Sequence, residues 1–226
     1  MRSRIVLLSV LFLAGCGSVP EPHPLSEQQA ELLAVVRFTN YDDHVVTVRG
    51  QVPSAAGALQ LDGRVDFRRS VGYASLRTVG GSGYGSTGVL QWSRRTLAFL
   101  AGPPVVADPP PGGSWQVRKV QGGELDTALV LLLGLGSDRP DNAQLLRQSD
   151  ARWLRRDTVD GSPVDVFEGP HQPGRARTEG PRLRYWVDTG ARLRRAEARI
   201  GVAQDWAQFD FTAGAMSFTT MPAVST

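Results

Sequence analysis

The sequence is poor in the residue types that stabilise many exported proteins or that bind metals. It contains one cysteine and three histidines in 226 residues. A lone cysteine excludes a disulfide within the chain, so a packed core must supply the stability. The histidines, His23, His44 and His171, lie far apart and form no His-x-x-x-His or Cys–His spacing, so we predict no metal site.

Signatures of catalysis are lacking as well. The sequence has no Gly-x-Ser-x-Gly elbow, and no serine can be assigned to a histidine and an acid. Paired carboxylates meet in space rather than in sequence, so no pair can be nominated. Gly83–Gly88 matches Gly-x-Gly-x-x-Gly with Asp108 downstream, but that fingerprint needs a following helix, and residues 89–100 alternate as a strand. We therefore predict that the protein is not an enzyme and has no catalytic residues and no cofactor.

The apolar run near the N-terminus is too short to cross a membrane permanently. Ile5–Ala14 has ten residues, whereas a span needs roughly 20. Arg2 and Arg4 precede it, as in a secretory signal. The segment Leu13-Ala14-Gly15-Cys16 resembles the lipobox of bacterial lipoproteins, which implies cleavage before Cys16 and attachment of a diacylglycerol to its thiol. The alternative is an ordinary signal peptide in which Cys16 is incidental.

A lipobox implies a location and a division of the chain. The protein would be anchored in the cell envelope, on the outer face of the plasma membrane or in the periplasm or outer membrane. Residues 1–15 are then the signal peptide, 16–24 the lipidated cysteine and a proline-rich tether, and 25–226 a single domain. The alternating prolines of residues 17–24 favour an extended path of about 25 Å, at roughly 3.1 Å per residue. Loss of the two leader arginines lowers the formal net charge from +3 to +1, so we predict no nucleic-acid partner.

The chain after the tether begins with a helix and continues with strands. Ser26 and Gln29 form a capping box, which predicts a helix to about Thr39. Alternation with a period of two predicts strands over 44–52, over 59–67 around an Asp62-Gly63 turn, and over 71–79, 89–100 and 115–120, with a proline-rich loop at 103–113.

The second half predicts helices and then strands again. Residues 124–135 are apolar almost all round and too few for a membrane span, which predicts a buried helix, followed by a shorter helix at 142–148. An Asp160-Gly161 hairpin and further strands follow, over 152–158, 164–168, 182–188, 191–200 and 206–212. The order helix, strands, helices, strands predicts an α+β fold with one large antiparallel sheet.

Two hairpin motifs stand in the last third, Asp157-Thr-Val-Asp-Gly-Ser-Pro-Val164 and Tyr185-Trp-Val-Asp-Thr-Gly-Ala-Arg-Leu-Arg-Arg195. They resemble the hairpins of the LolA/LolB superfamily and its LppX/LprG-like lipid-binding branch. The lipobox, the first helix and the central apolar helix also follow the order of that superfamily. The resemblance implies a single curved antiparallel sheet, a half-barrel, with helices packed on its concave face around an apolar cavity. From the residues alone, the same helices could equally complete a solid core.

We predict from this that the protein binds or carries a lipid, an acylated molecule or a lipoprotein, by burial of apolar surface. The cavity walls would come from the apolar faces of the strands and from the central helix, at Leu61, Val65, Phe67, Leu129, Leu132, Leu133 and Trp186. The alternative is a non-enzymatic interaction or sensory lipoprotein that acts on a membrane-bound partner.

The C-terminal strands are rich in arginine, at Arg152, Arg155, Arg156, Arg192, Arg194, Arg195 and Arg199. Such a surface could contact anionic lipid headgroups. We favour a solvated sheet face on which these arginines pair with Asp157, Asp165 and Glu197.

Overall fold

The computed structural model describes residues 21–55, 57–80, 86–171, 183–200 and 205–214. The predicted signal peptide, Cys16 and the first part of the tether therefore lie outside the described residues. So do residues 83–85 of the Gly83–Gly88 motif.

The described residues form one antiparallel sheet of 12 strands with three helices. The helices are α1 Glu27–Asp42, α2 Glu124–Gly134 and α3 Ala143–Gln148. The strands are β1 His23–Pro24, β2 Val45–Ser54, β3 Gly57–Asp66, β4 Val71–Val79, β5 Thr87–Ser93, β6 Thr96–Ala101, β7 Gln116–Lys119, β8 Arg152–Val159, β9 Ser162–Glu168, β10 Leu183–Asp188, β11 Leu193–Arg199 and β12 Trp206–Ala213. This confirms the predicted α+β class with one large antiparallel sheet.

The sheet is open and is made of two meanders. Its strand order is β1-β8-β9-β10-β11-β12-β2-β3-β4-β5-β6-β7, so β12 joins the C-terminal meander to the N-terminal one at β2. The connection between β7 and β8 carries α2 and α3. An open sheet is compatible with a half-barrel, and the placement of the helices on a concave face stays a prediction.

The end of the tether is attached to one edge of the sheet. Pro24 pairs with Arg152 in the short β1–β8 ladder. The ring of His23 stacks on Trp153 with centroids 4.8 Å apart, and Nη2 of Arg152 donates to the carbonyl of Pro22 at 2.7 Å. The described chain therefore begins beside β8.

Helix α1 begins with the predicted capping box. The backbone N–H of Gln29 donates to Oγ of Ser26 at 3.3 Å, and the backbone N–H of Ser26 donates to Oε1 of Gln29 at 2.9 Å. These two bonds satisfy donors that a helix N-terminus otherwise leaves unpaired. The helix continues past Thr39 to Asp42.

The main core lies between the helices and one face of the sheet, which we call the helix face. Leu33 and Val36 of α1 and Leu129, Leu132 and Leu133 of α2 belong to it, together with alternate residues of nearly every strand. A smaller cluster on the opposite face, around Tyr73 and Val89, packs under the proline-rich loop, with Val106 and Trp115 against it. Strands with apolar residues on both faces are buried on both sides.

The prediction of a turn at Asp62-Gly63 is wrong. Both residues lie within β3, where Gly63 pairs with Val48 on one side and Ala74 on the other. The hairpin turn comes earlier, and Oγ of Ser54 donates to the carbonyl of Gly57 at 2.6 Å across it. Glycine occurs at position 63 because a Cβ there would stand 2.2 Å from the carbonyl oxygen of Tyr73. A close approach of backbones, and not a turn, explains this glycine.

The single strand predicted over residues 89–100 is a hairpin, β5 and β6, in which Val89 pairs with Leu100. The backbone N–H of Thr96 donates to Oγ of Ser93 at 3.1 Å in the turn. The turn was missed because Arg94-Arg95 carries no glycine, proline or asparagine, the residues that most strongly mark turns. By contrast, the Asp160-Gly161 hairpin is confirmed, with φ of 48° and 77° at these two residues, as a two-residue turn with both residues left-handed requires.

Candidate functional site

The described residues leave an apolar groove between the helices and β10, which we call the helix groove. Its volume is about 740 Å³, within the usual range of ligand sites in proteins. Helices α1, α2 and α3, β10 and the two residues after Gly169 contribute to it. The lining residues are Leu33, Val36, Arg37, Thr127, Val130, Leu131, Gly134, Leu135, Asp141, Asn142, Leu145, Leu146, Ser149, Pro170, His171, Leu183 and Tyr185.

Helix α2 forms one wall because it is apolar on both sides. Leu129, Leu132 and Leu133 face the sheet and are at most 1% exposed, whereas Val130 and Leu131 line the groove. A surface helix normally carries polar residues on the side away from the core. Apolar residues on that second side therefore give the groove an apolar wall.

Helix α3 forms an open lip on the other side. Asn142 caps it, since its Oδ1 accepts from the backbone N–H of Leu145 at 3.0 Å. None of its residues is buried, and Leu145 is 63% exposed. A leucine this exposed beside Leu146 extends the apolar surface of the groove outwards.

Arg37 fixes the spacing of the groove walls. Its Nε donates to the carbonyl of Gly134 at the end of α2 at 3.0 Å, and its Nη1 donates to Oδ1 of Asp141 at 2.9 Å. Nδ2 of Asn40 donates to the carbonyl of Leu135 at 2.7 Å. These bonds satisfy carbonyls that the C-terminus of α2 would leave unpaired and hold α2 against α1.

Tyr185 places a hydroxyl group at the same groove. Burial raises the pKa of Tyr185 to about 12, and nearby Arg37 lowers it and Asp141 raises it to a smaller extent. The phenol therefore stays protonated at neutral pH.

His171 lines the groove and is hydrogen-bonded to Asp150. Nδ1 of His171 lies 2.5 Å from Oδ2 of Asp150, and the backbone N–H of His171 donates to Oδ1 at 3.0 Å. Burial alone would raise the pKa of Asp150, but these hydrogen bonds outweigh it and hold the pKa below its ordinary value. Nε2 of His171 is buried and has no hydrogen-bond partner among the described residues.

Ser149 also lines the groove but has a structural role. Its Oγ donates to the carbonyl of Leu146 at 2.6 Å and accepts from the backbone N–H of Ala151 at 3.1 Å. A serine nucleophile is instead hydrogen-bonded to its base. The Ser149, Asp150 and His171 set therefore lacks the bond that a catalytic triad needs.

The residues predicted as cavity walls lie elsewhere. Leu61, Val65, Phe67, Leu129, Leu132 and Leu133 belong to the main core and are 0–3% exposed. Trp186 lies on the opposite face with Val164 and Val166, and its Nε1 donates to Oδ2 of Asp157 at 2.9 Å. The helix groove is lined by none of the seven. Their contact with a ligand stays a prediction.

Sequence reasoning missed the residues that do line the groove. Val130 and Leu131 carry a usable signal, because a helix that is apolar all round needs cover on two sides. His171 and Asp150 carry none, because they are 21 residues apart and only the fold brings them together.

The arginines of the C-terminal strands are largely paired within the chain. Arg155 lies 3.1 Å from Asp157, Arg156 3.9 Å from Asp165 and Arg192 3.3 Å from Asp43, while Arg195 pairs with Asp210. Glu197 instead lies 3.8 Å from Arg184. These contacts favour the solvated-sheet interpretation over a surface of free cations for headgroups.

A second, polar groove of about 800 Å³ crosses the opposite face, with Arg49, Asp62 and Asp210 in its lining. Its aromatic residue is Trp206, whose ring lies 4.3 Å from the guanidinium of Arg184 and 4.8 Å from that of Arg199. Both guanidinium groups make cation–π contacts with this ring, so it is already engaged within the chain. Because charges of both signs also line the groove, the signs of the charges alone indicate no single ligand class.

Among the described residues, no group of three or more His, Cys, Asp or Glu side chains stands close enough to hold a metal ion. Of the helices described, none combines the length and apolarity that a membrane crossing requires.

The described part of the chain is thus an open antiparallel sheet with an apolar groove at its helices, and solved structures offer only slight likenesses to it. One is a DUF1329 family protein from Desulfovibrio piger, 11% identical, with a TM-score of 0.31, covering 83% of this chain and 92% of that one. Another is a putative outer membrane lipoprotein-sorting protein domain from Vibrio parahaemolyticus, 10% identical, with a TM-score of 0.23, covering 81% of this chain and 91% of that one. No protein-family model and no curated protein matches the sequence.

Proposed function

We propose that this protein is an exported lipoprotein, anchored through a lipid on Cys16, that binds a lipid or acylated molecule in the helix groove. Residues 1–15 would be its signal peptide, 16–24 its anchor and tether, and 25–226 its binding domain. The observation that carries the binding proposal is the helix groove, with a volume of about 740 Å³ and eight leucine and valine residues among the 17 that line it.

Burial of an acyl chain supplies the binding energy in this proposal. Each methylene removed from water contributes about 0.8 kcal/mol, so affinity should rise with chain length until the chain outgrows the groove. Association itself opposes binding by roughly 4–15 kcal/mol, which short chains cannot offset. We therefore expect long acyl chains to bind and short ones to bind weakly.

The position of the tether supports the combination of anchor and groove. Pro24 pairs with Arg152 at the start of β8, and Asp150, just before that strand, is hydrogen-bonded to His171 of the groove lining. The tether and the His171 end of the groove are therefore close along one edge of the sheet. A lipid leaving the bilayer would have a short path to the groove.

A photoreactive fatty-acid probe tests the binding site in the full chain. The lipidated protein in membrane vesicles is irradiated with a long-chain acyl diazirine, and the labelled peptides are identified by mass spectrometry. We expect labels on α2, α3 and β10. We expect Leu131→Arg to reduce labelling about tenfold, because a charge in the groove must give up its hydration to accept the chain.

Val117→Arg is the matched control for that variant. Val117 is 54% exposed on β7 and lies outside the helix groove, so the same change should leave labelling unaltered. Labels concentrated around Trp186, or a Leu131→Arg protein that labels like the parent, would show that the groove is not the binding site.

Cys16→Ser tests the anchor separately. Bacteria fed an alkynyl palmitate should label the parent protein, and the protein with serine at position 16 should lose the label and leave the membrane fraction. Retention of the lipid label by the variant would contradict anchoring at Cys16.

A further inference from the structure

The polar groove on the opposite face contains three neighbouring side chains that make no hydrogen bond to any described residue. Gln51 of β2 pairs in register with Gln60 of β3, and Gln60 pairs with Arg77 of β4, so the three side chains stand next to one another across the strands. All three are exposed and line the groove. We call them the Gln–Gln–Arg row.

The other charged side chains of the lining already have partners. Arg49 lies 3.4 Å from Asp62, and Asp210 pairs with an arginine of β11. Arg77, by contrast, forms no ion pair with any described residue. Outside the described residues, the sequence contains one acidic side chain, Glu179. The row therefore ends on a cation that is available to a ligand.

The proline-rich loop gives the polar groove a fixed wall. Pro104 and Val105 line the groove, and Val105 is 62% exposed. The next residue, Val106, packs against the smaller core cluster, and Arg64, which is buried, lies 3.6 Å from Asp108. Because the loop is held on both sides of Val105, this apolar side chain has a defined position at the groove.

The Gln–Gln–Arg row matches the chemistry of a sugar chain. A glutamine amide both donates and accepts hydrogen bonds, as the hydroxyl groups of a sugar do. Neighbouring strands lie about 4.8 Å apart, close to the length of one sugar ring, so a chain that crosses the strands would meet one side chain at each ring. A peptide usually adds instead to the edge of a sheet.

The two ends of this lining add specificity. A guanidinium group binds a carboxylate through two parallel hydrogen bonds, so Arg77 suits a sugar that carries a carboxylate. Val105 offers an apolar contact to the C–H side of a ring. The groove has a volume of about 800 Å³, within the usual range of ligand sites.

We propose that the polar groove binds an acidic glycan, with sugar hydroxyl groups on Gln51 and Gln60 and a sugar carboxylate on Arg77. The helix groove and the polar groove share no lining residue. This inference therefore goes beyond the proposed function and does not depend on it. The protein would hold an acyl chain at one face of its sheet and a glycan at the other.

Isothermal titration calorimetry of the full chain in detergent micelles tests this site with three probes. Tetragalacturonate carries hydroxyl groups and carboxylates, cellotetraose carries hydroxyl groups only, and tetraglutamate carries carboxylates without hydroxyl groups. We expect tetragalacturonate to bind about tenfold more tightly than cellotetraose, because a hydrogen bond to a charged group is the stronger one. Tetraglutamate should not saturate the protein. High salt should reduce the preference for tetragalacturonate, because Arg77 is exposed and salt screens its charge.

Variants at exposed positions separate the two parts of the row. Arg77→Gln should remove the preference for tetragalacturonate and leave the affinity for cellotetraose unchanged. The double change Gln51→Ala and Gln60→Ala should weaken both sugars about tenfold. Arg139→Gln and Gln148→Ala are matched controls, since both residues are exposed and lie outside the polar groove. These two variants should bind like the parent.

Each contrary outcome overturns a stated part of the inference. If neither sugar binds, the polar groove is not a glycan site. Equal binding of the two sugars by the parent would show that Arg77 does not hold a carboxylate. Tetraglutamate binding as tightly as tetragalacturonate would show attraction by charge alone. A double glutamine variant that binds like the parent would place the sugars elsewhere. Labelling of the helix groove by the acyl probe is expected to be the same in every case, so failure here is distinguishable from failure of the proposed function.

Discussion

Replacing Trp92 with alanine is expected to lower the free energy of unfolding by about 4 kcal/mol, in the range of large-to-small changes of buried aromatic residues. Trp92 is 1% exposed, and its Nε1 donates to the carbonyl of Leu129 in α2 at 3.1 Å. The ring lies over Gly72, where a Cβ would stand 2.0 Å from Cζ2. The substitution thus opens a cavity and removes a buried hydrogen bond between the sheet and α2.

Urea denaturation followed by circular dichroism measures this loss without relying on tryptophan fluorescence. Trp92→Phe should lower the free energy of unfolding by only about 1–2 kcal/mol, because the phenyl ring keeps most of the buried volume and only the hydrogen bond is lost. Trp115→Ala is the control at a half-buried tryptophan whose Nε1 donates to the carbonyl of Pro111 at 3.3 Å. A Trp92→Ala protein no less stable than Trp115→Ala would contradict a central role for Trp92.

Trp92 also links the core to the helix groove. Leu129, its hydrogen-bond acceptor, is followed directly by Val130 and Leu131, which line the groove. Sheet contacts therefore position the wall that a ligand would touch. Three of the residues predicted as cavity walls, Leu129, Leu132 and Leu133, belong to the core side of this same helix.

Local signals in the sequence predicted the elements that depend on local chemistry. The capping box of Ser26 and Gln29 and the left-handed Asp160-Gly161 turn act over a few residues, so sequence alone suffices to find them. The two errors in the N-terminal meander arose where contacts with neighbouring strands, and not the local sequence, determine the structure. Gly63 is required by the nearby backbone of Tyr73, and the Arg94-Arg95 turn joins strands that are apolar on both faces.

The candidate site was less predictable than the fold for the same reason. Three helices and β10 from distant parts of the chain meet at the groove. The strand alternation correctly marked buried residues, but burial in a core and exposure to a groove give the same apolar pattern. Only packing shows that the second side of α2 has no strand against it.

The second large effect is expected for Arg118→Ala, which should lower the free energy of unfolding by about 3 kcal/mol at neutral pH. Nη1 and Nη2 of Arg118 donate to the two oxygens of Asp126 at 2.7 and 2.6 Å, and the side chain of Asp126 is 3% exposed. Removing the arginine leaves this carboxylate buried without its cation, and an uncompensated buried charge strongly destabilises the folded state. We take the low end of the usual range because the side chain of Arg118 is 40% exposed.

The pair matters because it attaches an edge strand to the wall of the groove. Arg118 lies in β7, whose four residues are all exposed, and Asp126 lies in the first turn of α2. The backbone N–H of Gln121 also donates to Oδ2 of Asp126 at 2.6 Å. One carboxylate therefore ties together β7, the loop after it and the start of α2.

The effect of Arg118→Ala should depend on pH in a defined direction. The hydrogen bonds from Arg118 lower the pKa of Asp126 below its ordinary value of 3.8 against the opposing effect of burial. A carboxyl whose pKa is lower in the folded state stabilises the fold above its unfolded pKa, and this contribution disappears as the pH falls through the folded value. Denaturation at pH 7 and at about pH 2.5 should therefore show a large difference between parent and variant at neutral pH and a much smaller one in acid.

Arg139→Ala, at an exposed arginine, should change stability by less than about 0.5 kcal/mol at either pH. An equal loss at both pH values for Arg118→Ala would assign its role to packing of the arginine stem and not to the ion pair with Asp126.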